Sequence, residues 1–133
     1  MKYKVLCRPA ASVVKLLLDE GETITCEIGA MIAMTEGIGV ETTTGMKGGG
    51  GGFLKGMKRM LAGENFFLNH FTAHEPEQVI ILGPTMMGDV ILHRLRGGSL
   101  VIQGSSWLAS DAGITIDASW QGFGKALFSG ESM

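Results

Sequence analysis

A run of five glycines, residues 48–52, precedes a short basic and amphipathic stretch, and this combination is the first candidate for phosphate chemistry. A Walker loop requires G-x-x-x-x-G-K-[ST], but the closest frame, Gly51 to Gly56, is followed by Met57 where lysine is needed. A dinucleotide fingerprint finds no frame either, because Lys47 and Phe53 occupy positions that require glycine. We interpret the run as a flexible or tightly curved linker into a helix. A backbone-amide anion site at the helix start is the alternative.

The stretch after the glycines is basic and has no acidic residue between Gly45 and Gly63. Such a patch can contact anionic lipid, RNA or another polyanion. The competing interpretation is a solvated helix face, because only about 1 kcal/mol per basic residue is available at a charged membrane. The candidate anion or partner contacts are Lys47, Lys55, Lys58 and Arg59.

Histidines at four-residue spacing suggest a metal site that strand geometry disfavours. His70 and His74 lie in FFLNHFTAHEPE, which has the pattern of a strand leading into a turn. Four residues of strand span ~13 Å, too far for two bonds of about 2 Å to one ion. The third histidine, His93, is distant in sequence. We therefore expect satisfied or exposed histidines and no metal site.

Nucleophilic catalysis has no better candidate. Ser105 and Ser106 lie in QGSSWLAS, which is not the G-x-S-x-G elbow of serine hydrolases. Cys7 and Cys26 lie in strand-like stretches without a base beside them. The sequence thus indicates no catalytic residue, no cofactor and a protein that is not an enzyme.

Apolar residues alternate with polar ones along much of the chain, a pattern typical of half-buried strands. The segments that show it or continue it are ETITCEI, GIGVET, NFFLNHFTA, QVIILG, DVILHRL, SLVIQ and GITIDAS. One stretch, FLKGMKRML, has helical spacing, and its Gly56 means that packing must stabilise it. An all-β sandwich or barrel with one short helix follows.

An internal repeat is the most specific pattern in the sequence. Residues 19–43 align with residues 95–119, placing Gly21 over Gly97 and Cys26 over Ile102, which marks Cys26 as a core residue. GMKRMLAGENF then aligns with FGKALFSGESM at the C-terminus. We predict two β-sandwich repeats, residues 1–75 and residues 76–133, the second of them incomplete. Missing strands would expose an apolar edge, so we expect a truncated form or completion by a neighbouring subunit.

The order of these segments resembles the altered inheritance of mitochondria twenty-four family, a domain of unknown function. The most specific pieces are EIGAMIAM, FLKGMKRMLAGENFF and SSWLAS. The resemblance covers nearly the whole chain and implies a duplicated sandwich of the double-stranded β-helix type. Each half is then similar to the trp RNA-binding attenuation protein, and a ring or trimer is the implied assembly. The sequence departs from the family pattern by ending early in its second half.

Composition narrows the functional classes. With 45% apolar residues, 18% charged residues and a net charge of −2, the chain is expected to be globular, with no general attraction to nucleic acid. No segment approaches the ~20 apolar residues that cross a bilayer, and two cysteines are too few for a disulfide framework, which favours the cytoplasm. Peripheral membrane contact stays open.

The functional interpretation is a non-enzymatic protein that assembles with copies of itself. The candidate oligomer contacts are Phe53, Met57 and Trp107. Methionines such as Met31, Met34, Met86 and Met87 suit either adaptable interfaces or core filling. The alternatives are an RNA- or polyanion-binding module acting through residues 47–59, and small-ligand binding between the repeats.

Overall fold

The computed structural model describes residues 1–44 and 67–116, and within these ranges it contains eight strands and one 3₁₀ turn. The all-β class predicted from the alternating pattern is confirmed for this part of the chain. The helix predicted over FLKGMKRML lies outside the described residues. The strands are β1 (Lys2–Leu6), β2 (Val13–Leu18), β3 (Thr23–Glu27), β4 (Met31–Met34), β5 (Ile38–Thr44), β6 (Phe67–Ala73), β7 (Gln78–Leu82) and β8 (Ala109–Asp111), and the 3₁₀ turn is Gly104–Ser106.

The strands form two four-stranded antiparallel sheets. Sheet A has the order β1-β2-β7-β4, and sheet B has the order β5-β6-β3-β8. The chain therefore changes sheet several times, because β3, β5 and β6 pair in sheet B while β4 and β7 pair in sheet A. Strands β7 and β8, which follow residue 75, complete the two sheets begun by the earlier strands. The division into two repeats stays a prediction.

One cluster of buried side chains takes residues from both sheets. In β3, Ile24 and Cys26 are 5% and 0% exposed, as the alternation predicts, but Thr25 on the other face is also buried, at 4%. In β7 the same alternation buries Ile80 and Leu82, both 0% exposed. Leu18 of β2 and Phe71 of β6 are large members that are also almost completely buried. The prediction that Cys26 belongs to the core is confirmed.

Two predicted strands are wrong. DVILHRL and SLVIQ alternate like strands, but residues 89–103 form no strand. A strand needs a neighbour that takes up its backbone hydrogen bonds, and the two sheets end at β1, β4, β5 and β8 without pairing to this segment. Its large apolar side chains remain exposed, at 77% for Ile91 and 72% for Val101. The part of GITIDAS that the structure describes, residues 113–116, also forms no strand.

Two turns meet at one end of the sheets around the side chain of Gln78, which is 8% exposed. Thr35 Oγ1 and Gly37 N donate hydrogen bonds to Gln78 Oε1 at 2.6 Å and 3.1 Å. Gln78 Nε2 donates to the carbonyl of Pro76 at 3.0 Å. Because every polar group of this buried amide has a partner, the side chain fixes the β4–β5 turn against the β6–β7 turn.

No helix in residues 1–44 and 67–116 is long and apolar enough to cross a membrane.

Candidate functional site

Six of the seven contact residues proposed from the sequence lie outside the described part of the chain. These are Lys47, Lys55, Lys58, Arg59, Phe53 and Met57. The seventh, Trp107, follows the 3₁₀ turn, is half-buried, and donates its backbone N–H to the Gly104 carbonyl at 3.2 Å. Its role as an oligomer contact stays a prediction.

The edge strand β4 is the most apolar exposed element of the two sheets. Its residues Met31, Ile32 and Met34 are 38%, 58% and 39% exposed. Among residues 1–44 and 67–116, β4 pairs with β7 alone, so within the described part of the chain its other edge has no partner strand. Core filling is thus the wrong interpretation for Met31 and Met34. The sequence analysis singled out the EIGAMIAM segment, which contains β4. No local sequence pattern shows that this segment lies at the edge of a sheet.

A cleft of about 280 Å³ lies beside β4 at the end of sheet A. Val13 and Ile32 line it from the strands, and Met86 and Met87 line it from the loop Pro84–Gly88, which we name the methionine loop. These two methionines are 71% and 90% exposed, so core filling is wrong for them as well. Gly83 lets the Ile32 side chain pack closely against the end of β7, because a Cβ there would lie 2.7 Å from Ile32 Cδ1.

A charged pair holds the end of the methionine loop against the β1–β2 turn. Arg8 Nε and Nη2 donate to the Asp89 carboxylate at 3.0 Å and 2.9 Å, and Ser12 Oγ donates to the same carboxylate at 2.6 Å. Ser12 N also donates to the Gly88 carbonyl at 3.0 Å. The Arg8 hydrogen bond, followed by that of Ser12, lowers the pKa of Asp89 to about 2. Sequence reasoning missed this cluster, since Arg8 and Asp89 are 81 positions apart and form no local motif.

The prediction that the histidines are hydrogen-bonded or exposed is confirmed for His70. It lies in β6, with Nδ1 2.8 Å from Thr25 Oγ1 and Nε2 2.7 Å from Thr43 Oγ1. A neutral imidazole can donate through one nitrogen and accept through the other, so both ring atoms are satisfied. His74 follows the strand, and its ring lies over Gly39, where a Cβ would be 2.4 Å from Nε2. In residues 1–44 and 67–116, no group of three or more His, Cys, Asp or Glu could hold a metal ion.

The two cysteines differ sharply in their surroundings. Cys26 is buried in the core, and burial raises the pKa of its thiol to about 12. Cys7 is exposed, and neither cysteine forms a disulfide. A thiol that is protonated and enclosed is a poor nucleophile, so Cys26 acts in packing.

A family model described as Mitochondrial biogenesis AIM24 matches residues 3–133, which confirms the family resemblance. A curated relative from Streptococcus pyogenes, described as an uncharacterized protein, is 27% identical over 120 residues. That alignment covers 89% of this chain and 48% of the relative.

A crystal structure of a Streptococcus pyogenes protein has a similar fold, with a TM-score of 0.58 at 18% sequence identity. The match covers 84% of this chain and 50% of that protein. The chain therefore spans about half the length of the relatives it matches.

Proposed function

Because the chain belongs to the mitochondrial biogenesis AIM24 family, for which the resemblance implies a ring or trimer, we propose that it is a non-enzymatic structural or interaction protein that associates with copies of itself. The observation that carries the proposal is the exposed, uncharged edge strand β4. The family resemblance does not indicate which residues of this chain would contact another copy. The edge strand β4 is the candidate contact surface.

The four edge strands of the two sheets differ in how they are protected against pairing. Charged side chains on an edge disfavour the addition of another strand. β1 carries Lys2 and Lys4, β5 carries Glu41 and β8 carries Asp111. β4, with the sequence MIAM, carries no charge. It is therefore the edge at which pairing with another copy meets the least electrostatic opposition.

The size of β4 limits how strong one such contact can be. Burying a large apolar side chain completely contributes roughly 1.5–3 kcal/mol. Met31, Ile32 and Met34 are 38–58% exposed, so their complete burial would contribute roughly 2–4 kcal/mol in total. The strand has four residues, with a register shift between Met31 and Ala33, so an added strand would form few backbone hydrogen bonds. Since association costs at least about 4 kcal/mol in lost rigid-body freedom, we expect concentration-dependent assembly.

Further features support the finer points of the proposal. One buried cluster drawn from both sheets is what a sandwich requires, and a duplicated double-stranded β-helix remains our proposal for the full arrangement. The trimer rests on the family resemblance. Free Cys7 at the surface is in keeping with a reducing compartment, for which we propose the cytoplasm.

Light scattering after size exclusion tests the assembly. Ile32→Lys adds a charge to β4, and Val40→Lys is its matched control, because Val40 is a β-branched residue of edge strand β5 with nearly the same exposure, 56% against 58%. We expect a mass above one chain for the wild type and for Val40→Lys, and a monomer for Ile32→Lys. A monomeric wild type at every concentration would contradict the proposal, as would equal loss in both variants.

A further inference from the structure

Three lysines share the face of sheet A that points away from the core. Lys4 lies directly opposite Lys15, and Lys15 lies opposite Ile81, so these residues form one row across three strands. Lys2 is two residues from Lys4 and therefore lies on the same face. The opposite face of β2 carries the buried Leu16 and Leu18. We name Lys2, Lys4 and Lys15 the lysine face.

Within the described part of the chain, no ion pair balances the charge of the lysine face. The ion pairs of residues 1–44 and 67–116 join the N-terminal amine to Glu22 and Arg8 to Asp89, and neither involves these lysines. Like charges directly opposite in a sheet destabilise it, so the Lys4–Lys15 pair costs stability in the isolated chain. An anionic partner would remove that repulsion.

Apart from Asp89, which pairs with Arg8 beside the methionine loop, acidic residues adjoin this sheet in the turns beyond the Lys2 end. Two acidic turns adjoin each other there, since Gly21 N donates to the Ala73 carbonyl at 2.8 Å. One turn contains Asp19, Glu20 and Glu22, and the other contains Glu75 and Glu77. The opposite end of sheet A carries the methionine loop, which is fixed by the hydrogen bond from Ser12 N to the Gly88 carbonyl. A flat partner that contacts this opposite end and the lysine face would avoid most of these carboxylates.

Exposed apolar side chains extend the lysine face at the methionine-loop end. Met87 is 90% exposed and Met86 is 71% exposed, beside the row that pairs Leu6 with Val13. An apolar tip flanked by lysines suits a surface with an anionic outer layer and an apolar interior. We propose that the lysine face and the methionine loop together bind the surface of a membrane that contains anionic lipids.

A membrane fits this surface better than a nucleic acid does. The residues beside the lysines on the same face are aliphatic: Leu6, Val13, Leu17, Val79 and Ile81. Binding of single-stranded nucleic acid commonly uses aromatic side chains on which bases stack, and this face offers none among those positions. The lysines lie on β1 and β2, which β7 separates from β4, so the lysine face does not depend on self-association. The methionine loop, by contrast, shares a cleft with Ile32 of β4.

Co-sedimentation with vesicles tests the inference on the full chain. One set of vesicles contains phosphatidylcholine alone, and the other contains equal amounts of phosphatidylcholine and phosphatidylglycerol. We expect binding to the second set only, weakening as salt is raised. Lys4→Glu/Lys15→Glu should reduce this binding at least about 30-fold, the fold-change that follows from about 1 kcal/mol for each lysine lost. Adding Met87→Ser to this double variant should reduce binding to the anionic vesicles further.

Arg94→Glu/Arg96→Glu is the matched control, since it reverses two exposed charges outside both sheets and changes the net charge equally. We expect it to bind the anionic vesicles like the wild type. Circular dichroism checks the fold, and Lys4→Gln/Lys15→Gln replaces the reversal variant if that variant is unfolded. Three results would overturn the inference. The wild type could fail to bind anionic vesicles at low salt, or the control variant could lose as much vesicle binding as the lysine variant. The third is a wild type that binds polyuridylate but not anionic vesicles. Light scattering on the same variants measures their oligomeric mass, so a loss of vesicle binding can be distinguished from a loss of self-association.

Discussion

Replacement of Gly37 by alanine tests the hydrogen-bonded turn cluster around Gln78. An added Cβ at Gly37 would lie 2.6 Å from both Cδ and Oε1 of Gln78, closer than real Cβ contacts. The Gln78 amide cannot move aside freely, because it accepts from Thr35 and Gly37 and donates to Pro76. Gly37→Ala must therefore break hydrogen bonds as well as shift a side chain.

The hydrogen bonds set the size of the effect. Each of the three bonds to the Gln78 side chain contributes about 1 kcal/mol, and a buried group left without a partner costs about 1–3 kcal/mol. We expect Gly37→Ala to lower the free energy of unfolding by roughly 2–3 kcal/mol and Gln78→Ala to lower it by roughly 3 kcal/mol. In the Gln78→Ala background the clash is gone, so Gly37→Ala should cost less than about 0.5 kcal/mol.

Urea unfolding of the two single variants and the double variant, followed by circular dichroism, measures this coupling. Gly98→Ala is the matched control, because nothing lies within 4 Å of a Cβ at that position. We expect it to leave the unfolding midpoint nearly unchanged. Additive effects of Gly37→Ala and Gln78→Ala would refute the reasoning, since independent sites add and sites in contact do not.

Three further predictions concern charge and thiol chemistry. Lys15→Glu converts the like-charged pair with Lys4 into an opposite-charged one, so urea unfolding should show a gain of about 0.2–1 kcal/mol, whereas Lys2→Glu, opposite an apolar residue, should show none. Because the pKa of Asp89 is lowered from 3.8 to about 2, its stabilising effect should be complete above pH 3.8 and lost as the pH falls through about 2. The unfolding midpoints of wild type and Asp89→Asn should therefore differ at neutral pH and converge at the acid end of that range. With a thiol-reactive dye, the exposed Cys7 should react in the folded protein, while the second cysteine, buried with its pKa raised to about 12, should react only after unfolding. Equal labelling rates for the two cysteines would contradict their assigned surroundings.

Local pattern was sufficient to predict several strands. In β3, Ile24 and Cys26 alternate with threonines, and the structure buries both. The same period over DVILHRL predicts a strand where none forms. The difference is physical: alternation describes what a strand would bury, but the strand also needs a neighbour whose backbone can pair with it, and pairing is a property of the whole chain.

The surfaces used in the two proposals could not be predicted from local sequence patterns either, because strand pairing creates them. Lys4 and Lys15 become neighbours only through the register of β1 with β2. Arg8 meets Asp89 only because the β1–β2 turn and the end of the methionine loop adjoin. The sequence allowed both a core and an interface role for the methionines, and their exposed fractions in β4 exclude the core for Met31 and Met34.

Hydrogen exchange at β4 across a range of protein concentrations tests the central claim most directly. If copies associate through this edge, the amides of residues 31–34 should become more protected as concentration rises, while those of the edge strand β5 should not. Exchange in β4 that stays unchanged from the most dilute to the most concentrated sample would contradict the account.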